Sequence, residues 1–297
     1  MTHPDLPRRS FRVGLIGDGV RPSLTPPMHE EEAARLGLDY RDDVIDLLEL
    51  GKTADDIGGI LNELEAAGYD AVNVTHPVKQ AIIPLLHELS DEAATIGAVN
   101  LVRFVDGRRI GGNTDVSGFA SALASGLGDA RLDRVVQFGA GGAGAATAYA
   151  LLQAGTERLT IVDTRLDSAA DLAARYGDLF GGRIVEAMTP DDAADALTAA
   201  SGALNATPVG MFLHPGLPFD VHALGDGTWI ADVVYRPVRT QLLQEAEARG
   251  LRTLDGGRMA VGQAVDSMRL ITGVEPDETR MYAHFQRLLE TDDLAVG

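Results

Sequence analysis

A cluster of glycines near the middle of the chain has the spacing of a nucleotide-binding turn. Gly139, Gly141 and Gly144 form a G-x-G-x-x-G pattern between a strand-like segment, 134–138, and a run of small residues typical of a helix. The first glycine permits a tight turn, the second lets the backbone approach a pyrophosphate, and the third lets helix and strand pack closely. Backbone N–H groups at the helix start then face the phosphates. A glycine-rich turn without a ligand is the alternative. The residues expected to bind a dinucleotide here are Gly139, Ala140, Gly141, Gly142, Ala143 and Gly144.

An acidic residue after the next predicted strand bears on which dinucleotide would bind. Asp163 stands 19 residues after Gly144, near the spacing of about 20 expected for a ribose-binding carboxylate. Such a carboxylate accepts hydrogen bonds from the ribose of NAD and repels the additional phosphate of NADP. Arg165, two residues further on, could bind the cofactor as well and soften this discrimination. A solvated loop aspartate or a helix cap is the alternative for Asp163, and the pattern favours NAD over NADP.

The elements that must position these residues alternate between strand and helix along almost the whole chain. This alternation predicts an α/β protein with parallel sheets. Thr53 and Asp56 resemble a capping box, and Asp106-Gly107 suits the turn of a hairpin. The predicted strands are 11–16, 40–46, 71–74, 100–105, 108–111, 134–138, 158–162, 184–186, 202–205 and 229–234. The predicted helices are 26–36, 53–67, 78–89, 116–127, the segment that follows the glycines as far as Ala154, 168–176, 259–272 and 276–289.

Composition narrows the class of protein. The 297 residues are enough for two domains, and 45% hydrophobic with 23% charged residues is typical of a folded chain. A net charge of −19 argues against a nucleic-acid partner. Without cysteine there is no disulfide, and neither His29 nor His76 has a second ligand at zinc-binding spacing, so we expect no metal. The uncharged segment 135–156 is too rich in glycine for a bilayer span, and residues 1–10 do not resemble a signal peptide. We therefore expect a cytoplasmic protein with no membrane partner.

Six short strings of chemistry-bearing residues occur along the chain. They are Ser23-Leu24-Thr25-Pro26 with His29, Asn73-Val74-Thr75-His76-Pro77-Val78-Lys79, Gly97-Ala98-Val99-Asn100, Asn113-Thr114-Asp115, Asn205-Ala206-Thr207-Pro208-Val209-Gly210-Met211, and Gln263 in a helix. Their order and spacing resemble the shikimate dehydrogenase family along nearly the whole chain. The Ser-x-Thr and Thr-His-Pro-x-Lys strings are most similar to the NAD-dependent quinate/shikimate dehydrogenases of actinobacterial type. The resemblance implies a substrate-binding domain of residues 1–115, completed by 255–297. It also implies a Rossmann NAD-binding domain of residues 116–254, with the active-site cleft between the two.

Within this resemblance, Lys79 and Asp115 match the family's catalytic pair. Transfer of a hydride from a secondary alcohol requires a proton to leave the hydroxyl oxygen, and a lysine beside a carboxylate can relay it. Lysine suits this task because its pKa can be lowered by burial, whereas arginine stays charged. A solvated lysine on a helix surface is the alternative for Lys79.

Other matched positions imply contacts with substrate and cofactor. Ser23 and Thr25 match residues that bind the substrate carboxylate, although Thr25 could instead cap a helix before Pro26. Serine is usual at the second position, and the resemblance links threonine there to enzymes that also accept quinate. The positions that hydrogen-bond ring hydroxyls in the family match Thr75, Asn100 and Gln263. A tyrosine near the substrate matches Tyr235. Positions matched to the loop beside the nicotinamide are Thr207, Val209, Gly210 and Met211.

Several of these positions also have a purely structural interpretation. Tyr235 could be a core aromatic residue at a strand end, and residues 205–211 could be an ordinary turn after a strand. His76 could line the pocket and influence the range of substrates, or it could be a packed or solvent-facing histidine.

The leading hypothesis is an NAD-dependent oxidoreductase that interconverts shikimate with 3-dehydroshikimate and quinate with 3-dehydroquinate. Its expected partner is one of these cyclic polyol acids, and a homodimer is left open. One alternative is a dehydrogenase of shikimate alone, or of an amino-substituted shikimate, on the same scaffold. A second is a non-catalytic dinucleotide or metabolite sensor, which would be expected to lose Lys79 or Asp115 first. A third is another Rossmann oxidoreductase, such as a folate-linked dehydrogenase, which the Ser-x-Thr-Pro string and Gln263 disfavour.

Overall fold

The computed structural model describes residues 10–296, with side chains described for residues 10–291. It divides into two compact units. The first unit holds the described residues up to Thr114 together with those from Gln263 onward, and the second unit spans Asp115–Gly262. Each unit is built around its own sheet.

The first unit contains a mixed sheet of six strands in the order β2-β1-β3-β5-β6-β4. The central strand β1 is parallel to β2 and β3, whereas β5 runs antiparallel to β3 and to β6. Asp106 and Gly107 form the turn between β5 and β6 with positive φ angles of 51° and 71°, which confirms the predicted hairpin. The strands are β1 (Ser10–Gly17), β2 (Asp39–Asp46), β3 (Ala71–Val74), β4 (Glu88–Leu89), β5 (Leu101–Val105) and β6 (Arg108–Gly112).

Helices surround this sheet, and their apolar faces bury its side chains. One core cluster joins Ile16 and Val72 of the sheet to Leu61 and Ile82. The capping box predicted at Thr53 and Asp56 is present at the start of a short 3₁₀ turn that leads into the second helix. The helices of this unit are α1 (Thr25–Arg35), α2 (Ile57–Ala66), α3 (Val78–Ala81), α4 (Asp91–Ile96), the later part of α10 (Gly256–Thr272) and α11 (Glu278–Val296).

The second unit contains a fully parallel sheet of six strands in the order β9-β8-β7-β10-β11-β12. Relative to the chain this is the order 3-2-1-4-5-6 of a Rossmann fold, with the topological switch point between β7 and β10. The predicted α/β class and the Rossmann arrangement are therefore confirmed. The strands are β7 (Arg134–Phe138), β8 (Arg158–Val162), β9 (Ile184–Met188), β10 (Gly202–Asn205), β11 (Trp229–Asp232) and β12 (Arg252–Leu254). The helices are α5 (Asp115–Leu127), α6 (Gly142–Gln153), α7 (Leu166–Leu179), α8 (Ala194–Thr198), α9 (Gln241–Ala248) and the beginning of α10.

Some predicted elements were wrong. The helix predicted over 78–89 ends at Ala81, and the segment continues as a 3₁₀ turn over Ile83–Leu85 and the short strand β4. Pro84 explains the break, because a proline cannot donate a backbone hydrogen bond and its ring clashes with the preceding turn. Four observed elements were not predicted, namely α4, α8, α9 and β12. The first sheet is not wholly parallel, because the hairpin adds antiparallel pairs to it.

Candidate active site

The glycine turn after β7 has a backbone that accepts only glycine at two positions. Gly139 adopts a φ of +106°, and a Cβ built on it would lie 2.5 Å from the carbonyl oxygen of Ala206. A Cβ on Gly144 would lie 2.2 Å from the carbonyl oxygen of Gly139. By contrast, a Cβ on Gly141 would meet no atom within 4 Å, so the backbone there faces open space. Gly141 precedes α6, and no side chain caps the N–H groups of that helix. The turn therefore offers free backbone donors to a phosphate.

The turn is held from below by a buried glutamine that sequence reasoning did not assign. Gln137 lies in β7, and its Nε2 donates to the carbonyl oxygens of Gly139 at 2.9 Å and Gly144 at 2.8 Å. Its Oε1 accepts from the Thr147 hydroxyl at 2.8 Å. A glutamine within the apolar run Val135–Phe138 could have indicated this role, because a buried amide needs hydrogen-bond partners.

Asp163 follows β8 and connects two parts of the predicted nucleotide site. Its Oδ2 accepts from the backbone N–H of Ala140 at 2.9 Å, and its Oδ1 accepts from the N–H of Arg165 at 2.9 Å. Arg165 is the residue before α7 and has an exposed side chain. The carboxylate is thus fixed beside the glycine turn by two backbone bonds, and its remaining lone pairs can accept further donors.

The loop after β10 is organised by the side chain of Asn205. Its Oδ1 accepts from the N–H of Thr207 at 3.0 Å and from the Thr207 hydroxyl at 2.7 Å. Its Nδ2 donates to the carbonyl oxygen of Val209 at 2.8 Å and to Asp232 at 2.9 Å. Gly210 has a φ of +104°, and Met211 beyond it is exposed. The residues predicted to face the nicotinamide therefore lie in one constrained loop.

Asp232 ends β11 and was not predicted as a site residue. It is 2% exposed and accepts hydrogen bonds from Asn205, from the N–H of Val234 at 2.9 Å and from the Thr240 hydroxyl at 2.7 Å. Burial raises its pKa from 3.8 to about 6, although these three hydrogen bonds act in the opposite direction. Tyr235 follows in the half-buried segment after this strand.

In the first unit, backbone bonds bring three predicted residues to the carboxyl ends of β1 and β3. The N–H of Thr75 donates to Ile16 at 2.9 Å, and the N–H of Val74 donates to Asn100 at 2.8 Å. The carbonyl oxygen of Lys79 accepts from Val99 at 2.9 Å, which ties α3 to the residue before Asn100. Thr75, Lys79 and Asn100 therefore belong to one cluster.

Asn100 and Gln263 are hydrogen-bonded although 163 positions separate them in the chain. The Asn100 Nδ2 donates to the Gln263 Oε1 at 3.2 Å, and its Oδ1 accepts from the N–H of Thr114 at 2.9 Å. The Thr114 hydroxyl also bonds the Gln263 carbonyl oxygen at 3.2 Å. These side chains form one polar network within the first unit.

Ser23 and Thr25 lie at the start of α1. The Ser23 hydroxyl accepts from the N–H of Thr25 at 3.3 Å, and both residues are partly exposed. Leu24 occupies the N-cap position and no side chain caps the helix, so the alternative of Thr25 as an N-cap is not realised. Asn73, which belongs to one of the six strings but has no predicted role, is buried on β3 with an Nδ2 that has no partner among the described residues.

The remaining predicted residues lie as follows. Lys79 is half-buried at the beginning of α3 in the first unit, and Asp115 is buried at the beginning of α5 in the second unit. His76 is exposed, whereas His29 is fully buried, with Nδ1 2.9 Å from Asp42 Oδ2 and Nε2 3.1 Å from the Ala264 carbonyl oxygen.

The described residues contain neither a metal cluster nor a membrane-spanning helix. In that part of the chain, no group of three His, Cys, Asp or Glu side chains is arranged to hold a metal ion. No helix within residues 10–296 combines the length and the apolar composition needed to span a bilayer.

The Rossmann strand order and the glycine turn define a two-domain α/β protein of the dinucleotide-binding class. A family model described as the shikimate dehydrogenase substrate binding domain matches residues 15–102. The chain is 51% identical over 287 residues to "Shikimate dehydrogenase (NADP(+))" of Pseudarthrobacter chlorophenolicus, covering 97% of this chain and 98% of that protein. The chain belongs to the shikimate dehydrogenase family, as the resemblance predicted.

Two further relatives carry names with a different cofactor. The chain is 45% identical to "Quinate/shikimate dehydrogenase (NAD(+))" of Corynebacterium efficiens, over 94% of this chain and 99% of that protein. The solved structure of quinate dehydrogenase from Corynebacterium glutamicum in complex with NAD has a TM-score of 0.87 and 43% identity, covering 94% of this chain and 100% of that one. Similar relatives are thus named for either cofactor.

Proposed function

We propose that the chain is an NAD-dependent oxidoreductase that interconverts shikimate with 3-dehydroshikimate and quinate with 3-dehydroquinate. Membership of the shikimate dehydrogenase family supports the reaction class. The observation that carries the choice of NAD is Asp163, whose carboxylate is fixed beside the glycine turn by the N–H groups of Ala140 and Arg165.

The cofactor preference follows from charge and geometry at this position. A carboxylate there can accept hydrogen bonds from the two hydroxyls of the adenosine ribose, whereas the 2′-phosphate of NADP would place negative charge against it. An NADP-dependent shikimate dehydrogenase is the second candidate. It is favoured by the exposed Arg165 and by the cofactor named for the Pseudarthrobacter relative. Arginine attracts a phosphate, but Asp163 is the residue that the backbone holds in place.

A nicotinamide dinucleotide fits the residues of the second unit. The open space at Gly141 and the uncapped start of α6 suit a pyrophosphate. The bound cofactor supplies a nicotinamide ring that accepts or donates the hydride. Thr207, Val209 and Met211 hold the face of that ring, since Asn205 constrains their loop.

The first unit binds the acid. Ser23 and Thr25 offer two hydroxyl donors to its carboxylate without a salt bridge. Thr75, Asn100 and Gln263 bond its ring hydroxyls, and Tyr235 is the aromatic residue assigned to it. The bond between Asn100 and Gln263 supports this role, because two amides already oriented toward each other lose little freedom on binding. Buried polar groups of this kind also disfavour analogues that lack the hydroxyls.

Lys79 and Asp115 transfer the proton of the substrate hydroxyl. In the direction of oxidation, the hydride leaves the ring carbon and the hydroxyl proton passes to the Lys79 Nζ, with Asp115 accepting it in turn. The composition supports a specific role for this lysine. The chain has 25 lysine and arginine residues, and Lys52 and Lys79 are its only lysines. A chain that uses arginine almost everywhere nevertheless has, at position 79, the basic residue that can release a proton.

The test replaces each lysine in turn. Lys79→Ala should lower kcat by about a hundredfold to ten-thousandfold, while the Kd for NADH, followed by its fluorescence, stays within about twofold of the wild-type value. Lys79→Arg should be as inactive as Lys79→Ala, because guanidinium does not release its proton. Lys52→Ala is the matched control and should keep full activity. A Lys79→Ala enzyme with more than about a tenth of the wild-type rate would refute the assigned role.

A further inference from the structure

A buried hydrogen-bond network links the carboxyl ends of β10 and β11 in the second unit. Asn205 ends β10, and Asp232 ends β11 in register with it. Asp232 Oδ1 accepts from the Asn205 Nδ2 at 2.9 Å and from the N–H of Val234 at 2.9 Å. Its Oδ2 accepts from the hydroxyl of Thr240, which caps the N-terminus of α9. All four groups are buried or nearly so.

The orientation of the Asn205 amide decides the shape of the loop that follows. Its oxygen must face the two donors of Thr207, and its nitrogen must face the carbonyl oxygen of Val209. A rotation of the amide by 180° would exchange oxygen and nitrogen and would break all of these bonds. An ionised carboxylate only accepts hydrogen bonds, so Asp232 is compatible with one of the two orientations.

We propose that Asp232 is a positioning residue for the nicotinamide-binding loop, because it fixes the Asn205 amide and, through it, the backbone of Thr207 and Val209. The inference rests on the proposed function, which assigns this loop to the nicotinamide ring. Asp232 reaches the loop through its hydrogen bond with Asn205. The hydroxyl of Thr207 extends the effect, since it also accepts from the N–H of Val209 at 3.1 Å.

The two oxygens of Asp232 bond different partners, so variants that remove one bond can be compared with a variant that removes the other. Asp232→Ala removes the acceptor for Asn205, whereas Asp232→Asn keeps an amide oxygen for Asn205 and Val234 and presents its NH₂ to the Thr240 hydroxyl, which can accept. Thr240→Val removes one buried hydrogen bond from the other oxygen and a helix cap, but it leaves the bond to Asn205 in place. It therefore controls for a general loss of stability.

The experiment measures the KM for NAD and the Kd for NADH in these variants. Asp232→Ala should raise both constants roughly tenfold, with the KM for shikimate or quinate unchanged within about threefold. Asp232→Asn and Thr240→Val should stay within about threefold of the wild type for NAD, even though Thr240→Val lowers the Tm. Asn205→Ala should match Asp232→Ala, and the double variant should be no worse than either single one.

Several results would overturn the inference. Equal effects of Asp232→Ala and Thr240→Val on the KM for NAD would show that Asp232 stabilises the fold and does not position the loop. Additive effects of Asp232→Ala and Asn205→Ala would break the link between them. If Asp232→Ala does not fold, the Asn205→Ala variant is sufficient by itself, because an unchanged KM for NAD in it refutes the inference.

Failure of the proposed function has a different signature. A wild-type protein that binds NADH but oxidises neither acid would remove the proposed function, and the Kd series for NADH would still decide the role of Asp232. A wild-type protein that binds no nicotinamide dinucleotide would overturn both.

Discussion

Asp232 makes a contribution to the stability of the second unit that decreases as the pH rises, which is unusual for a carboxyl group. Most carboxyl groups of folded proteins have a lowered pKa and add stability when ionised. Burial instead raises the pKa of Asp232 from 3.8 to about 6. The folded chain therefore binds this proton more tightly than the unfolded chain does. The associated stability is fully present below about pH 4 and is lost as the pH rises through about 6.

The magnitude follows from the two pKa values. At about 1.4 kcal/mol for each pKa unit, the interval from 3.8 to about 6 corresponds to about 3 kcal/mol in the free energy of unfolding. About 1.4 kcal/mol of this loss falls between about pH 5 and about pH 8. Measurements in this range also stay above the isoelectric point of about 4.6. Asp232→Asn has no titrating group, so its free energy of unfolding should gain about 1.4 kcal/mol relative to the wild type across that range.

The chain contains a suitable probe. Trp229 is its only tryptophan and lies on β11, three positions before Asp232. Urea unfolding followed by its fluorescence therefore reports on the unit in which the substitution lies. Asp226→Asn is the matched control, because it removes the same charge from a fully exposed side chain, and its difference from the wild type should not vary with pH. A constant difference between Asp232→Asn and the wild type from about pH 5 to about pH 8 would refute the reasoning.

Three further predictions concern the glycine turn, the cofactor and the first unit. Gln137→Met should lower the free energy of unfolding by about 2 kcal/mol and raise the KM for NAD roughly fivefold, because two carbonyl oxygens of the turn lose their donor; urea unfolding and initial rates measure this. Asp163→Asn should lower the ratio of kcat/KM for NAD over NADP by roughly tenfold or more, whereas Asp167→Asn, an exposed neighbour on α7, should change it by less than about threefold. His29→Leu should cost about 1 to 3 kcal/mol in urea unfolding for each group left unpaired, because the Asp42 carboxyl and the Ala264 carbonyl oxygen both lose their partner. The double change to leucine at His29 and Asp42 should recover the part of that loss due to Asp42, and no recovery would refute the pairing.

The parts of the fold that were predicted correctly depend on local backbone constraints. The turn at Gly139 needs a φ that favours glycine, and the hairpin at Asp106-Gly107 needs two such residues in a row. These requirements can be read from neighbouring residues. The helix predicted over 78–89 was wrong because its apolar spacing continues past Pro84, whereas the backbone cannot continue as a helix there.

The supporting residues of the candidate site could not be predicted in this way. Gln137 and Asp232 occupy positions in buried strands, and their partners come from other elements, as in the bond from Asn205 to Asp232 across 27 positions. The same holds for Asn100 and Gln263, which were paired with a substrate only through the resemblance to a family. Hydrogen-bond partners that are distant in the chain become visible when the sheet order is known.

Initial rates with shikimate and quinate, each with NAD and with NADP, test the central claim most directly. We expect NAD to support oxidation of both acids and NADP to support each at a much lower kcat/KM. Activity on shikimate with NADP alone would contradict the roles given to Asp163 and Thr25, and an absence of activity with all four pairs would contradict the proposed reaction itself.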